Sequence, residues 1–108
     1  MLQNLETETD LQAWRQEHPL FVAYFSTPLC GVCQTLRPKV EHLLSELALP
    51  GAYVNTNALP ETAGQLIVFA VPTIVVFAEG HEVKRFSRHF PMRDLRDNLT
   101  RTQHLMAG

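Results

Sequence analysis

The sequence predicts an α/β fold in which a mixed central β-sheet is covered by helices on both faces. Leu20–Phe25 is an almost continuous run of apolar residues, aromatic and β-branched ones among them, which is typical of a central strand buried on both sides. From Gly31 to about Leu49 the apolar residues follow the spacing of an amphipathic helix. Glu79-Gly80 is a tight turn between two strand-like segments, which predicts an antiparallel hairpin.

The N-terminal part of the chain predicts a strand followed by a helix. Residues 2–5 are interpreted as a short edge strand. The segment from Thr7 to Asp10 resembles a capping box, in which the Thr7 side chain accepts a hydrogen bond from a backbone N–H and Asp10 lies in the first helical turn. We expect this helix to run to about Glu17 and to place Trp14 in the core.

The second helix is predicted from a stripe of apolar residues at helical spacing, namely Leu36, Val40, Leu43, Leu44 and Leu47. Pro38 lies inside this helix and is expected to bend it, because proline supplies no N–H for the carbonyl four residues before it.

The second half of the chain alternates in the same way. We expect a strand at 52–55, a helix at 61–69 that starts after Pro60, strands at 73–78 and 81–87, and a final helix whose apolar side carries Met92, Leu95, Leu99 and Met106. The resulting order is β-α-β-α-β-α-β-β-α, which is the pattern of a mixed sheet between helical layers.

Charge and composition exclude several classes of function. Nine basic and eleven acidic residues give a net charge of −2, so the chain has no electrostatic footprint for nucleic acid or for an anionic membrane surface. The N-terminus lacks the basic flank and apolar run of a secretory signal, and the uncharged stretch 62–78 is too short and too interrupted to span a membrane. We therefore expect a single domain, residues 1–108, in the reducing cytoplasm.

The two cysteines form the motif Cys30-Gly31-Val32-Cys33, directly after a buried strand and at the start of a long helix. The N-terminus of a helix carries partial positive charge and unpaired N–H groups, which favour a thiolate over a thiol. The thiolate is the attacking species in disulfide exchange, and Cys33 lies one turn away, within reach of Cys30. Gly31 lets a substrate backbone approach closely. The motif therefore indicates redox chemistry.

Three other interpretations of the pair stay open on the residues alone. A zinc site needs two further ligands, and the downstream histidines, at 42, 81, 89 and 104, do not have the spacing of a Cys2His2 site. A purely structural disulfide closes a very short loop and stabilises little. Two buried, inert thiols are the third interpretation, although a junction between loop and helix is a poor place to bury both.

Four features of the chain occur together: the order of elements, the cysteine motif at the start of the second helix, Pro38 five residues after Cys33, and Val71-Pro72-Thr73 before the hairpin. In these features the whole chain resembles the thioredoxin family. The resemblance implies a thioredoxin fold and a cis peptide bond between Val71 and Pro72, which is uncommon in proteins. It also implies that the backbone of Val71 is presented to an extended substrate segment.

The resemblance further implies a thiol–disulfide oxidoreductase that reduces protein disulfides without metal or organic cofactor. Cys30 is then the nucleophile and Cys33 the resolving thiol. A thioredoxin-reductase-type electron donor returns the pair to the dithiol, and a monomer is expected. The implied substrate contacts are Leu29, Gly31, Val32, Val71, Pro72 and Thr73. Leu29, Val32 and Phe69 are expected to form an apolar rim around the cysteines.

Several positions depart from the family pattern. Leu29 stands where the family usually has Trp, and Val32 where thioredoxin has Pro. Tyr24 occupies the position of the family's buried Asp, the proton acceptor for the second cysteine, and Tyr53 that of its partner lysine. Because tyrosine, with a pKa near 10, is no base near pH 7, we expect release by Cys33 to be slower than in a general thioredoxin.

One further departure lies near the end of the second hairpin strand. The segment 87–89 (Ser-Arg-His) stands in place of a glycine-containing loop of the family. The departures also keep open a second function, a non-catalytic thioredoxin-fold binding module or redox sensor.

Overall fold

The computed structural model describes all residues from 1 to 108 and contains five strands and four helices. In chain order these are β1 (Leu2–Asn4), α1 (Asp10–Glu17), β2 (Leu20–Ser26), α2 (Gly31–Leu47), β3 (Gly51–Asn55), α3 (Pro60–Gln65), β4 (Thr73–Ala78), β5 (His81–Ser87) and α4 (Met92–Ala107). The order of elements is the one that the sequence pattern predicts.

The five strands form one mixed sheet in the order β1-β3-β2-β4-β5. β1, β3 and β2 run parallel to one another, whereas β4 is antiparallel to both β2 and β5. β2 is thus the central strand, and all seven of its residues are buried. The fold class, the buried central strand and the β4–β5 hairpin are confirmed.

Two separate cores lie on the two faces of the sheet, because successive side chains of β2 point to opposite sides. On one face, Val22 and Tyr24 pack with Leu43 of α2 and Leu99 of α4. On the other face, the core is built from α1 and the segment before α3, with Leu11, Trp14, Phe21, Phe25 and Leu59 among its members. Trp14 is a core residue, as predicted, and contacts Phe21 edge to face with ring centroids 5.3 Å apart.

The start of α1 differs from the predicted capping box. Asp10, not Thr7, is the acceptor: its carboxylate accepts hydrogen bonds from the backbone N–H groups of Glu6 and Thr7 and from the Thr7 hydroxyl. Thr9, directly before the helix, makes no side-chain cap. The prediction that Thr7 caps the helix is wrong, because the charged carboxylate of Asp10 is the stronger acceptor.

The end of α3 also differs, since the helix stops at Gln65 and not near Phe69. Ile67 adopts a left-handed conformation with a φ of +56°, which a β-branched residue rarely takes and which no helix can contain. The residues from 66 to 72 therefore form a loop that leads into β4. As for membrane insertion, α2 and α4, the two longest helices, fall short of the apolar length that a bilayer span requires.

Candidate active site

The cysteine pair lies where the central strand passes into the longest helix. Cys30 is the N-cap residue of α2, with extended backbone, and its N–H donates to the Thr27 carbonyl at 3.3 Å. Cys33 lies in the first turn and forms a disulfide with Cys30 across a Cα–Cα distance of 5.2 Å. The N–H of Cys33 also donates to Cys30 Sγ at 3.1 Å. The sulfur of Cys30 therefore lies at the positive end of a 17-residue helix.

The two cysteines differ in their access to a partner. Cys30 is half-buried, whereas Cys33 has no exposed surface at all. The neighbours Gly31 and Val32 are exposed, and so is Leu29 on the other side of Cys30. A large molecule that approaches this surface meets Cys30 and the residues around it, while Cys33 is covered.

The loop before β4 supplies the backbone of the site. The peptide bond between Val71 and Pro72 is cis, and Pro72 is buried. Neither the N–H nor the C=O of Val71 has a hydrogen-bond partner in the chain, so both are available to an incoming strand. Thr73 is buried, and its hydroxyl donates to the Ala70 carbonyl at 2.6 Å, so its side chain supports the loop from inside.

Arg88 joins this loop to the helix that carries the cysteines. Its N–H donates to the Pro72 carbonyl at 2.9 Å, and its side chain lines the same groove as Gly31 and Val32. The cis-proline loop and the start of α2 are thus neighbours. Of the site residues that the sequence singled out, Leu29, Gly31 and Val32 are exposed, Cys30 and Val71 are half-buried, and Cys33, Pro72 and Thr73 are buried.

Exposed apolar side chains flank Cys30 and occur in the loop before β4. Leu29 is 95% exposed and Phe69 is 90% exposed, and Val32 and Ile67 are also largely exposed. Apolar groups left in water beside a reactive centre are typical of a surface that binds another protein. Leu29, Val32 and Phe69 are the three residues of the expected apolar rim.

Two tyrosines lie behind the cysteines and pair across β2 and β3. The Tyr24 hydroxyl is fully buried and donates to the Cys33 carbonyl at 2.6 Å. The Tyr53 hydroxyl donates to Ser26 Oγ at 3.1 Å, and the guanidinium of Arg37 lies 4.2 Å from the centre of the Tyr53 ring. Tyr24 therefore holds the first turn of α2 by its backbone.

Burial raises the pKa of Tyr24 well above its ordinary value near 10, and the nearby Tyr53 raises it further. The hydroxyl is thus neutral at every physiological pH and acts as a donor. The buried polar side chains other than the tyrosines are those of Ser26, Thr62 and Thr73, so no carboxylate, lysine or histidine is buried behind Cys33.

Replacing Tyr24 with Phe is expected to change how stability depends on alkaline pH. In the unfolded chain a tyrosine loses its proton near pH 10, whereas folded Tyr24 keeps it. The native state then binds more protons, so the free energy of unfolding falls above pH 10, by at most about 1.4 kcal/mol per pH unit. Urea unfolding of both oxidised proteins between pH 9 and 11 measures this. If the free energies of unfolding of wild type and Tyr24→Phe changed with pH in parallel, the conclusion that folded Tyr24 stays protonated would be wrong.

One positioning residue, Arg85, is not apparent from the sequence. Its guanidinium donates to the carbonyls of Leu66 and Ile67, at 2.6 and 3.0 Å, and forms two hydrogen bonds of 2.8 Å with the Glu82 carboxylate. It thereby fixes the loop that carries Phe69. A charged residue on an edge strand is usually solvated. The role of Arg85 is visible only from its hydrogen bonds to carbonyls that precede it by 18 and 19 residues in the chain.

No group of three or more His, Cys, Asp and Glu side chains with the arrangement of a metal site occurs in the structure. The fold therefore brings no third or fourth zinc ligand close to the two cysteines.

Comparison with known proteins gives a consistent result. Residues 3–101 match the family model described as thioredoxin. The chain is 27% identical over 105 residues to the thioredoxin-like protein YdfQ of Bacillus subtilis, which covers 96% of this chain and 94% of that protein. It is 35% identical over 69 residues to the thioredoxin of Mycobacterium tuberculosis, which covers 62% of this chain and 59% of that one.

Among solved structures, the X-ray structure of Fasciola hepatica thioredoxin superposes with a TM-score of 0.85 and 35% identity, covering 94% of this chain and 99% of that chain. The region that the family model matches, residues 3–101, contains the cysteine pair. The chain therefore belongs to the thioredoxin family and is a thiol–disulfide oxidoreductase.

Proposed function

We propose that this protein reduces disulfides of other proteins, with Cys30 as the nucleophile and Cys33 as the resolving thiol. The observation that carries this proposal is the difference between the two cysteines. Cys30 reaches the surface at the start of a helix, and Cys33 is completely buried, yet the two are close enough to form a disulfide. In such a pair the accessible sulfur reacts with the substrate first, and the buried sulfur then resolves the mixed disulfide.

The reaction has two exchange steps. In the first, the Cys30 thiolate attacks one sulfur of the substrate disulfide, and the other substrate sulfur leaves as a thiolate that takes up a proton. In the second, Cys33 loses its proton and attacks Cys30 Sγ, and the bound substrate sulfur leaves in turn and is protonated. The substrate gains two electrons, and the protein is left with the Cys30–Cys33 disulfide.

The substrate is held by the residues around the pair. The unpaired N–H and C=O of Val71 support the binding of an extended substrate segment through two backbone hydrogen bonds, in the manner of strand addition. Leu29, Gly31 and Val32 contribute exposed surface beside Cys30, and Pro72 and Thr73 shape the loop from below.

The dithiol must be restored by an electron donor of the thioredoxin-reductase type. A protein of Mycobacterium leprae that is similar to this chain over 87 residues is named a bifunctional thioredoxin reductase/thioredoxin, which supports a donor of this class. The proposal also includes a location in the cytoplasm, because reduction is the net direction of disulfide exchange in a reducing compartment. It further includes a monomeric state, as the resemblance to the family implies.

The assignment of the two sulfurs is tested by limited alkylation. The reduced protein is treated at pH 7 with less than one equivalent of iodoacetamide, and mass spectrometry of its peptides locates the label. The label is expected mainly on Cys30, because the thiolate is favoured at the helix N-terminus and Cys30 is the accessible sulfur. Labelling mainly on Cys33 would reverse the assignment.

Reduced protein that has not been alkylated is tested for its ability to reduce a disulfide-containing protein catalytically. Catalysed reduction is expected, with dithiothreitol as the final electron donor. Binding of a partner that depends on the redox state, with no turnover, would instead indicate a binding module or redox sensor.

A further inference from the structure

A groove of about 570 Å³ begins directly at the cysteine motif and runs along α2. We call it the α2 groove, and it is lined by Gly31, Val32, Thr35, Leu36, Lys39 and Arg88. Val32 and Leu36 supply apolar surface, and Thr35 already donates its hydroxyl to the Gly31 carbonyl at 3.1 Å. The only charged groups in the lining are the two cations, and no acidic residue is part of it.

The two cations of the α2 groove have no counter-ion. Neither Lys39 nor Arg88 forms an ion pair, and both side chains are exposed. Arg37, Arg85 and Arg96 each pair with a glutamate, whereas the remaining lysines and arginines, Lys39 and Arg88 among them, form no ion pair. The α2 groove is therefore a local positive surface on a protein whose net charge is −2.

Arg88 holds a position that links the α2 groove to the path of the substrate. Its φ of +58° lies in the left-handed region that favours glycine, so the backbone conformation does not require a long side chain there. Its N–H is fixed to the carbonyl of Pro72, next to the unpaired backbone of Val71. The backbone of Arg88 is thus next to the cis-proline loop, and Arg88 also lines the α2 groove.

We propose that the α2 groove selects protein substrates that carry Asp or Glu residues, mixed with apolar ones, in the segment beside the target disulfide. The inference rests on the proposed function, since it names the substrate class of the same site. Carboxylates of such a segment lie near Lys39 and Arg88, and its apolar side chains pack on Val32 and Leu36. Opposite charge at this place raises both the rate of encounter and the affinity.

Three synthetic disulfide peptides test the proposal. They differ only at three positions beside the disulfide, which carry Glu, Gln or Lys. The reduced protein is expected to react with the Glu peptide about three- to tenfold faster, in kcat/KM, than with the Gln peptide, and more slowly with the Lys peptide, as two exposed charge pairs allow. At 1 M salt, where the screening length is about 3 Å, the preference is expected to disappear.

Matched variants locate the effect. The double variant Lys39→Gln, Arg88→Gln is expected to bring the Glu to Gln ratio close to one. The double variant Lys84→Gln, Arg101→Gln is the control, because it also removes two cations, which line a different cavity together with Asp94 and Asp97. It is expected to keep the ratio.

The outcomes separate this inference from the function on which it rests. Equal rates for the three peptides, or a ratio that the control Lys84→Gln, Arg101→Gln lowers as much as Lys39→Gln, Arg88→Gln does, would overturn the role of the α2 groove. Reduction of the Gln peptide in that case would leave the proposed function intact. If none of the peptides is reduced, the proposed function fails and the inference with it.

Discussion

The variant Cys33→Ser is expected to turn the protein from a catalyst into a trap for its substrates. Cys30 still attacks the substrate disulfide, because its position at the start of α2 and its exposure do not depend on Cys33. The resulting mixed disulfide has no resolving thiol, so covalent complexes accumulate. Turnover is expected to fall by at least about 10³-fold, the scale of loss when an essential group of a covalent mechanism is removed. Non-reducing gels and mass spectrometry of the adducts measure the trapped complexes.

The matched control is Cys30→Ser, which removes the accessible sulfur and keeps the buried one. It is expected to lose turnover to the same extent and to form no complex, because Cys33 has no exposed surface. Circular dichroism and the Tm of both variants show whether the fold is kept, which matters for the buried position 33. Complexes of equal yield in both variants would contradict the assignment of the two sulfurs.

Release of the mixed disulfide by Cys33 is expected to accelerate about tenfold for each pH unit between pH 6 and 8. Resolution requires the thiolate of Cys33, and the thiolate fraction of a cysteine rises tenfold per pH unit below an ordinary thiol pKa of about 8.5. No carboxylate, lysine or histidine is buried behind Cys33 to accept its proton. Tyr24 is no substitute, since burial raises its pKa further above the working pH. The proton must therefore pass to solvent.

Stopped-flow release from a preformed mixed disulfide measures this dependence. Tyr24→Phe is expected to keep the slope, because the hydroxyl that it removes donates to the Cys33 carbonyl and accepts no proton. Tyr24→Asp, which places a carboxylate behind Cys33, is expected to raise the rate at pH 6 to 7 and to flatten the profile. A rate that is independent of pH in the wild type would show that an internal base exists.

Much of the fold is determined by patterns that are local in the sequence. The bounds of β4 and β5 agree with those expected from the apolar run before Glu79-Gly80 and from the tight turn that these two residues form. The central strand is recognisable because both of its faces are buried, so its apolar residues are continuous. The cysteine motif identifies the reaction centre in the same way, since strand, motif and helix follow one another directly.

The features that differ from expectation depend on contacts between distant residues. The helix before β4 ends early, at Gln65, and the carbonyls that follow it are taken by Arg85 from the edge strand β5. No local pattern around residue 65 contains that information. Likewise, the resemblance implies that residues 87–89 stand in place of a glycine-containing loop of the family. It does not show that Arg88 lines a groove with Lys39 or that neither has a counter-ion.

The hydrogen bonds of Arg85 have a thermodynamic consequence for recognition. The loop that ends at the cis-proline, with Phe69 at its surface, is held at Leu66 and Ile67 before any partner arrives. Its conformational entropy is therefore lost when the protein folds and not when a complex forms. A rigid exposed aromatic ring binds with a smaller ordering cost than a ring on a mobile loop. If Phe69 contacts a protein partner, its contribution to affinity is set in part by Arg85, a residue of the edge strand β5.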